Sequence, residues 1–188
     1  FDFGNNIAYE YVSGITNAQD VGYYSFQVKP AEGFEWKGTE GSTDTLSNNW
    51  SITPLKIAKP QPQLGLVYNG EEQVGLATDS AYVFTSESVI KATNAGTYAY
   101  TVSLFDPVNT RWADNSTAAI SGTWVIAPRA IEKPTLPSGL SYSGENNFVT
   151  LVSEYYSFVE GTTNAVNAGA HSFTLALNNP AGATNYVW

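Results

Sequence analysis

An internal repeat with a period of about 74 residues is the feature that most constrains the fold of this chain. Residues 53–60 (TPLKIAKP) resemble residues 127–134 (APRAIEKP), and the same spacing relates 65–71 (GLVYNGE) to 139–145 (GLSYSGE). Because repeated segments form repeated structural units, the period decides the architecture before any single segment is assigned.

A repeated glycine indicates a third copy. Gly22, Gly96 and Gly169 each follow an Asp or Asn by two residues and begin an alternating segment. We therefore predict about two and a half copies: a partial first copy at 1–57, a complete second copy at 58–131 and a partial third copy at 132–188. We expect that the chain is an excerpt of a longer tandem array, or that partners supply strands to the incomplete copies.

Apolar and polar residues alternate after each of these glycines, with the period of two that is typical of a strand covered on one face. Residues 98–104 place Tyr98, Tyr100, Val102 and Leu104 on one face. The same pattern appears in the other two copies, and a second alternating set ends in Trp-x-Ile. No window has a helical period, so the sequence predicts an all-β class.

The strand after each glycine begins with a motif, Asp/Asn-x-Gly-x-Tyr, that is similar to the tyrosine corner of immunoglobulin-type sandwiches. Tyr24 and Tyr98 occupy the corner position, and His171 replaces the tyrosine in the third copy. We predict a structural role for all three. The chain has no Cys, so aromatic packing would replace the inter-sheet disulfide. The prediction is a tandem series of Ig-like β-sandwich repeats, with Pro54 and Pro128 stiffening the junctions.

The second copy also carries a family resemblance. Residues 59–60 (KP), 68–73 (YNGEEQ), 93–98 (TNAGTY) and 122–126 (GTWVI) resemble the tandem MBG-type repeats of bacterial surface proteins and adhesins, which are mostly β and rich in glycine. The resemblance implies extracellular stalk, fibre or adhesin modules without known catalytic residues.

Composition and motifs exclude several function classes. Eight Lys and Arg against 17 Asp and Glu give a net charge of −9, without a basic stripe for nucleic acid. No apolar run is long enough to insert in a membrane. The single His and the absence of nucleophile and phosphate-binding motifs predict no enzyme, no catalytic residue, no cofactor and no metal. A loop with Asp106, Asn109, Asp114 and Asn115 has calcium-type ligands, but neither the EF-hand spacing nor a repeat supports a site.

Tryptophans recur in loops at Trp36, Trp112 and Trp188. Two interpretations stay open: packing within the copy or against its neighbour, and exposed contacts to a ligand or an interface. Trp50 and Trp124, in alternating strands, are predicted core residues.

The sequence thus predicts a non-enzymatic extracellular structural protein, a rigid repeat module of a cell-surface fibre, stalk or adhesin, with neighbouring repeats or identical subunits as partners. Strand exchange between incomplete copies would extend this to a filament. One alternative is a carbohydrate-binding or host-protein-binding module that uses the loop aromatics on a surface glycan or host protein. Another is an Ig-like decoration or tail-fibre module on a phage virion surface.

Overall fold

The computed structural model describes residues 8–38 and 41–188, and these form strands, turns and irregular segments without a helix. The predicted all-β class is confirmed. A helix that could cross a membrane is accordingly not found in this part of the chain. The described strands are β1 (Tyr9–Gly14), β2 (Gly22–Pro30), β3 (Leu46–Ile52), β4 (Leu55–Ile57), β5 (Leu66–Val67), β6 (Gln73–Val74), β7 (Tyr82–Phe84), β8 (Lys91–Ala92), β9 (Gly96–Leu104), β10 (Thr110–Trp112), β11 (Ile120–Ala127), β12 (Arg129–Ala130), β13 (Asn147–Phe148), β14 (Tyr156–Gly161), β15 (Asn164–Ala165), β16 (Phe173–Leu177) and β17 (Tyr186–Val187).

The chain forms two compact units, and each combines strands from consecutive copies. The first unit comprises the chain up to Lys59 with Asp79–Val83 and Ser103–Ala119, and the second comprises Pro60–Thr78, Phe84–Val102 and Ile120–Trp188. The copy boundaries at 57/58 and 131/132 stay a prediction from the repeat.

In the first copy, β1, β2 and β3 form an antiparallel sheet in that order. The strand β2 pairs with β3 from Gly22 opposite Ile52 to Val28 opposite Leu46. A bulge interrupts β1, which ends at Gly14 with a φ of 108°. A Cβ at Gly14 would lie 2.5 Å from the Cα of Phe26, so the close approach of the two strands requires glycine there.

In the second copy, four of the strands form a sheet of order β5-β11-β9-β7. The strand β11 is antiparallel to β9, with Trp124 opposite Tyr98, and parallel to β5. The indole Nε1 of Trp124 donates to the carbonyl of Val89 over 2.6 Å, and its ring lies 4.8 Å from that of Tyr98. Trp50 and Tyr24 of the first copy repeat this ring contact at 4.7 Å.

In the third copy, β14 and β16 form an antiparallel pair, and β13 pairs with β15 as β6 pairs with β8. A bulge again precedes a glycine, Gly161, whose φ of 106° matches that of Gly14. This local geometry therefore recurs 147 residues along the chain.

The most deeply buried apolar side chains lie in the second copy. Those with almost no exposed surface are Trp112, Trp124, Leu76, Ile126 and Val102. Each such side chain contributes about 1.5–3 kcal/mol through burial. Many large apolar side chains of the third copy stay exposed, among them Leu140, Tyr142, Phe148 and Val152. The core is thus concentrated in the second copy.

Candidate functional site

The residues that connect the first copy to the second form a hydrogen-bonded junction within the first compact unit. The short strand β4 follows Pro54 and pairs in parallel with β10 of the second copy. The backbone N–H of Leu55 donates to the carbonyl of Asn109 over 3.0 Å. The side chain of Asn109 then reaches the first copy, where its Oδ1 accepts from the N–H of Val21 over 2.8 Å and its Nδ2 donates to Asp20 over 2.9 Å.

The junction between the second and third copies, within the second compact unit, repeats these bonds. The strand β12 pairs in parallel with β17, and the N–H of Arg129 donates to the carbonyl of Asn185 over 2.9 Å. The Oδ1 of Asn185 accepts from the N–H of Ala95 over 2.7 Å, and its Nδ2 donates to the Oδ1 of Asn94 over 3.0 Å. One asparagine therefore connects a following copy to a turn of the preceding copy at both junctions.

The turn that receives this asparagine is also held by the corner side chain. The hydroxyls of Tyr24 and Tyr98 donate to the carbonyls of Asp20 and Asn94 over 2.6 Å in each case. In the third copy, Nε2 of His171 lies 3.1 Å from the carbonyl four residues before it. The first two turns are thus fixed from within their own copy and from the next one.

The second junction is the more deeply buried of the two, so its polar groups need hydrogen-bond partners within the protein. Asn185 is 0% exposed and is the one buried polar residue among the described residues. Both of its side-chain polar groups are hydrogen-bonded, as a buried amide requires. The ring of Tyr186 packs edge-on against Tyr68 at 5.3 Å, and this burial raises the pKa of the Tyr186 hydroxyl. The second junction therefore combines directional bonds with aromatic packing.

An ion pair and a short network hold the loop around β10. The Nζ of Lys59 lies 2.6 Å from Asp114, and the hydrogen bond it donates holds the pKa of that carboxyl well below its ordinary value. Asp106 accepts from the side-chain amide of Asn109, which lowers its pKa in the same way. The two carboxylates thus bond to protein groups. No group of three or more His, Cys, Asp and Glu that could hold a metal occurs in the part of the chain that the structure describes.

The three loop tryptophans differ in exposure. Trp112 is 0% exposed and packs against Tyr82, and its indole donates to a carbonyl of its own loop over 2.8 Å. Trp36 is half-buried, and its indole donates to the carbonyl of Asp44 over 2.7 Å. Trp188 is 43% exposed, with its ring 5.5 Å from that of Tyr156. A ligand contact at these positions stays a prediction, and Trp188 has the largest exposed fraction of the three.

The sequence does not predict a junction role for Asn109 or Asn185. The available signal was the spacing Asn-x-x-Trp, which occurs at 109–112 and at 185–188. The first copy has Gly33 in the corresponding place before Trp36. Asparagine is common in loops for many local reasons, so this spacing alone did not identify a contact between copies.

Comparison with known proteins yields no match, either to a family model, to a curated protein or to a solved structure. The resemblance to MBG-type repeats therefore stays an expectation from the motifs.

Proposed function

We propose that this chain is a non-enzymatic structural protein whose Ig-like repeats are held in a fixed mutual orientation, as a rigid module of an extracellular fibre, stalk or adhesin. The observation that carries the proposal is the repetition of the junction: the side chains of Asn109 and Asn185 each make two hydrogen bonds to corresponding turns of the preceding copy, and their backbone carbonyls each accept one from β4 or β12.

The chemistry of these junctions suits a mechanical role. A flexible linker between domains is rich in Gly and Ser and makes few bonds to the domains on either side. Here the connecting strands β4 and β12 each follow a proline and pair with the next copy, and a side-chain amide bonds back to the previous copy. Each copy is therefore bonded to its neighbour at two separate points, which opposes both bending and rotation.

Further support comes from charge and motif content. A net charge of −9 opposes self-association through charge repulsion and disfavours nucleic acid as a partner. The motif resemblance points to a bacterial cell surface as the location and to neighbouring repeats or identical subunits as partners. Strand exchange between chains would give a filament, and electron microscopy over a range of protein concentration tests that extension.

Rigidity at the junction can be measured directly because the chain has no Cys. Cysteines introduced at the exposed positions Thr45 and Thr117, both within the first compact unit, would carry spin labels in the first and second copies. We expect a single narrow distance distribution, which the change Asn109→Ala broadens. Asn146→Ala, at an exposed side chain away from the junctions, is the matched control and should leave the distribution unchanged. A broad distribution in the unmodified chain would refute a rigid module.

A second candidate function is favoured by Trp188. Its ring is 43% exposed and lies beside Tyr156, so the pair presents aromatic surface of the kind that stacks on sugars. A glycan-binding or host-protein-binding module would use this surface, with the repeats as its support.

A further inference from the structure

The side chain of Tyr186, at the second junction, lies against two other tyrosines. Its ring is 5.3 Å from that of Tyr68, with the two planes nearly perpendicular at 89°, and 5.4 Å from that of Tyr155. Tyr68 belongs to the second copy and the other two belong to the third, and all three lie in the second compact unit. The contact between Tyr68 and Tyr186 therefore joins two copies through residues 118 positions apart in the sequence.

Backbone hydrogen bonds hold both tyrosines of this contact in place. The N–H of Tyr68 donates to the carbonyl of Ala127 over 2.9 Å. The side chain of Asn179 holds Tyr186 twice: its Oδ1 accepts from the N–H over 2.7 Å, and its Nδ2 donates to the carbonyl over 3.0 Å. The two rings are thus positioned by fixed backbone on each side.

The hydroxyls of Tyr68 and Tyr186 also lie near each other. Burial raises the pKa of Tyr186, and the neighbouring hydroxyl of Tyr68 adds to this rise. In a tyrosyl radical the unpaired electron is shared with the two ring carbons beside the hydroxyl, and these are the carbons through which two such radicals couple. Because the hydroxyls are close, the carbons that can couple are close as well.

Tyr155 is the less reactive neighbour of Tyr186. The guanidinium of Arg129 lies 5.1 Å from the centroid of the Tyr155 ring. A positive charge over an aromatic ring is attracted to the electrons of that ring, so it opposes the removal of one of them. The contact with Tyr68 is therefore the one that favours radical coupling.

The composition of the chain directs oxidation to its aromatic side chains. Cys and Met, the sulfur residues that oxidants commonly attack, are both absent, whereas there are 12 Tyr and five Trp. Tyr68 and Tyr186 are half-buried rather than enclosed. An oxidant at the surface of the protein can therefore take an electron from either ring.

We propose that Tyr68 and Tyr186 form a cross-linking site, at which a one-electron oxidant such as a haem peroxidase with hydrogen peroxide joins the second copy to the third through dityrosine. Each phenol loses one electron and its hydroxyl proton, and the two radicals form a carbon–carbon bond beside their oxygens. The ring hydrogens at that bond move to the oxygens and restore both phenols. The two electrons and two protons released reduce one hydrogen peroxide to two waters.

This cross-link belongs to the second junction. Thr110 follows Asn109 at the first junction, where Tyr186 follows Asn185 at the second, so the first junction lacks the phenol at this position. The inference goes beyond the proposed function and does not depend on it, because it concerns the chemistry of one ring contact.

Photochemical oxidation of the full chain tests the proposal. The probe is a ruthenium tris-bipyridyl complex with persulfate and light, which is a small one-electron oxidant, used on dilute protein so that coupling within one chain is favoured. A glutamate-specific protease releases residues 41–71, whose one tyrosine is Tyr68, and residues 161–188, whose one tyrosine is Tyr186. We expect mass spectrometry to show these two peptides joined with the loss of two hydrogen atoms, in a product with dityrosine fluorescence. The closed loop should also raise the urea midpoint of unfolding, because it constrains the unfolded chain.

Three variants identify the reacting pair. Tyr68→Phe and Tyr186→Phe keep a ring at each position but remove the phenol, so each should lose the joined peptides. Tyr155→Phe is the matched control, since it changes the other ring beside Tyr186, and it should keep them. Joining of residues 155–160 to 161–188 instead, the same joined peptides in equal yield from the urea-unfolded chain, or no joined peptides from the folded chain would each overturn the proposal. The spin-label distance across the first junction reports on the proposed function independently of these results.

Discussion

Replacing Asn185 by alanine tests whether the junction is a bonded structure or only a close approach of two loops. The change deletes the side-chain oxygen that accepts from Ala95 over 2.7 Å and the amide that donates to Asn94 over 3.0 Å. It leaves the bond between the carbonyl of Asn185 and the N–H of Arg129, because that bond uses the backbone alone. The perturbation is therefore confined to the contact between the two copies.

The expected loss of unfolding free energy depends on whether each group that bonded to Asn185 can bond to water instead. Asn94 is exposed, so its Oδ1 can accept a hydrogen bond from water, and losing the bond from Asn185 costs little. The N–H of Ala95 is partly buried, and an unsatisfied buried donor costs about 1–3 kcal/mol. The cavity left by a fully buried side chain adds to this cost. We therefore expect Asn185→Ala to lower the unfolding free energy by about 2–3 kcal/mol. Asn109→Ala should cost about 1 kcal/mol, because its site is only half-buried.

Native-state hydrogen exchange gives the local readout. A loss of about 2 kcal/mol corresponds to a rise of about 30-fold in the exchange rate of the Ala95 amide. Asn146→Ala should leave that rate unchanged, and Asn109→Ala should affect the amide of Val21 instead. If the Ala95 amide of Asn185→Ala exchanges at the rate of the unmodified chain, the side-chain bonds do not hold the junction and the argument for rigidity fails.

Three further changes have defined outcomes. Gly75→Ala should lower the unfolding free energy by about 1–3 kcal/mol in urea titration, because its Cβ would lie 2.0 Å from the Trp124 ring; unchanged stability would contradict this packing. The bond from Lys59 lowers the pKa of Asp114 when folded, so it stabilises the fold above the ordinary carboxyl pKa and is lost as pH falls below it. Asp114→Asn should therefore flatten the acid limb of a melting-temperature profile, and an unaltered limb would count against the bond. Trp188→Ala should abolish any glycan or host-protein binding while keeping the unfolding midpoint, and retained binding would exclude that ring as the contact.

The strands were predictable because alternation is a strong local signal. Residues 98–104 alternate over a whole strand, and the structure has β9 at Gly96–Leu104 with Tyr100, Val102 and Leu104 buried. The repeat then extended this assignment to the other copies, where β2 and β16 lie at the corresponding places. Local pattern and period together therefore accounted for the all-β class.

The junctions were not predictable by the same means. The strand β12 has two residues and β4 has three, which is too short for any alternation to be visible. Their pairing with β17 and β10 joins segments more than 50 residues apart. The side chain of Asn185 contacts a turn about 90 residues earlier, and a single asparagine carries no information about so distant a partner.

Two residues of the third copy differ from their counterparts in the second copy, and the structure shows that these counterparts contact the same side chain. In the sequence, Val149 for Gly75 and His171 for Tyr98 are two unrelated substitutions, 22 residues apart. In the second copy the ring of Trp124 touches both positions, with its atoms 2.0 Å from a Cβ built on Gly75 and its centroid 4.8 Å from that of Tyr98. One substitution fills the space of that ring and the other removes its stacking partner. Because both changes act against the same side chain, the third copy does not reproduce the surroundings that hold the Trp124 ring in the second copy.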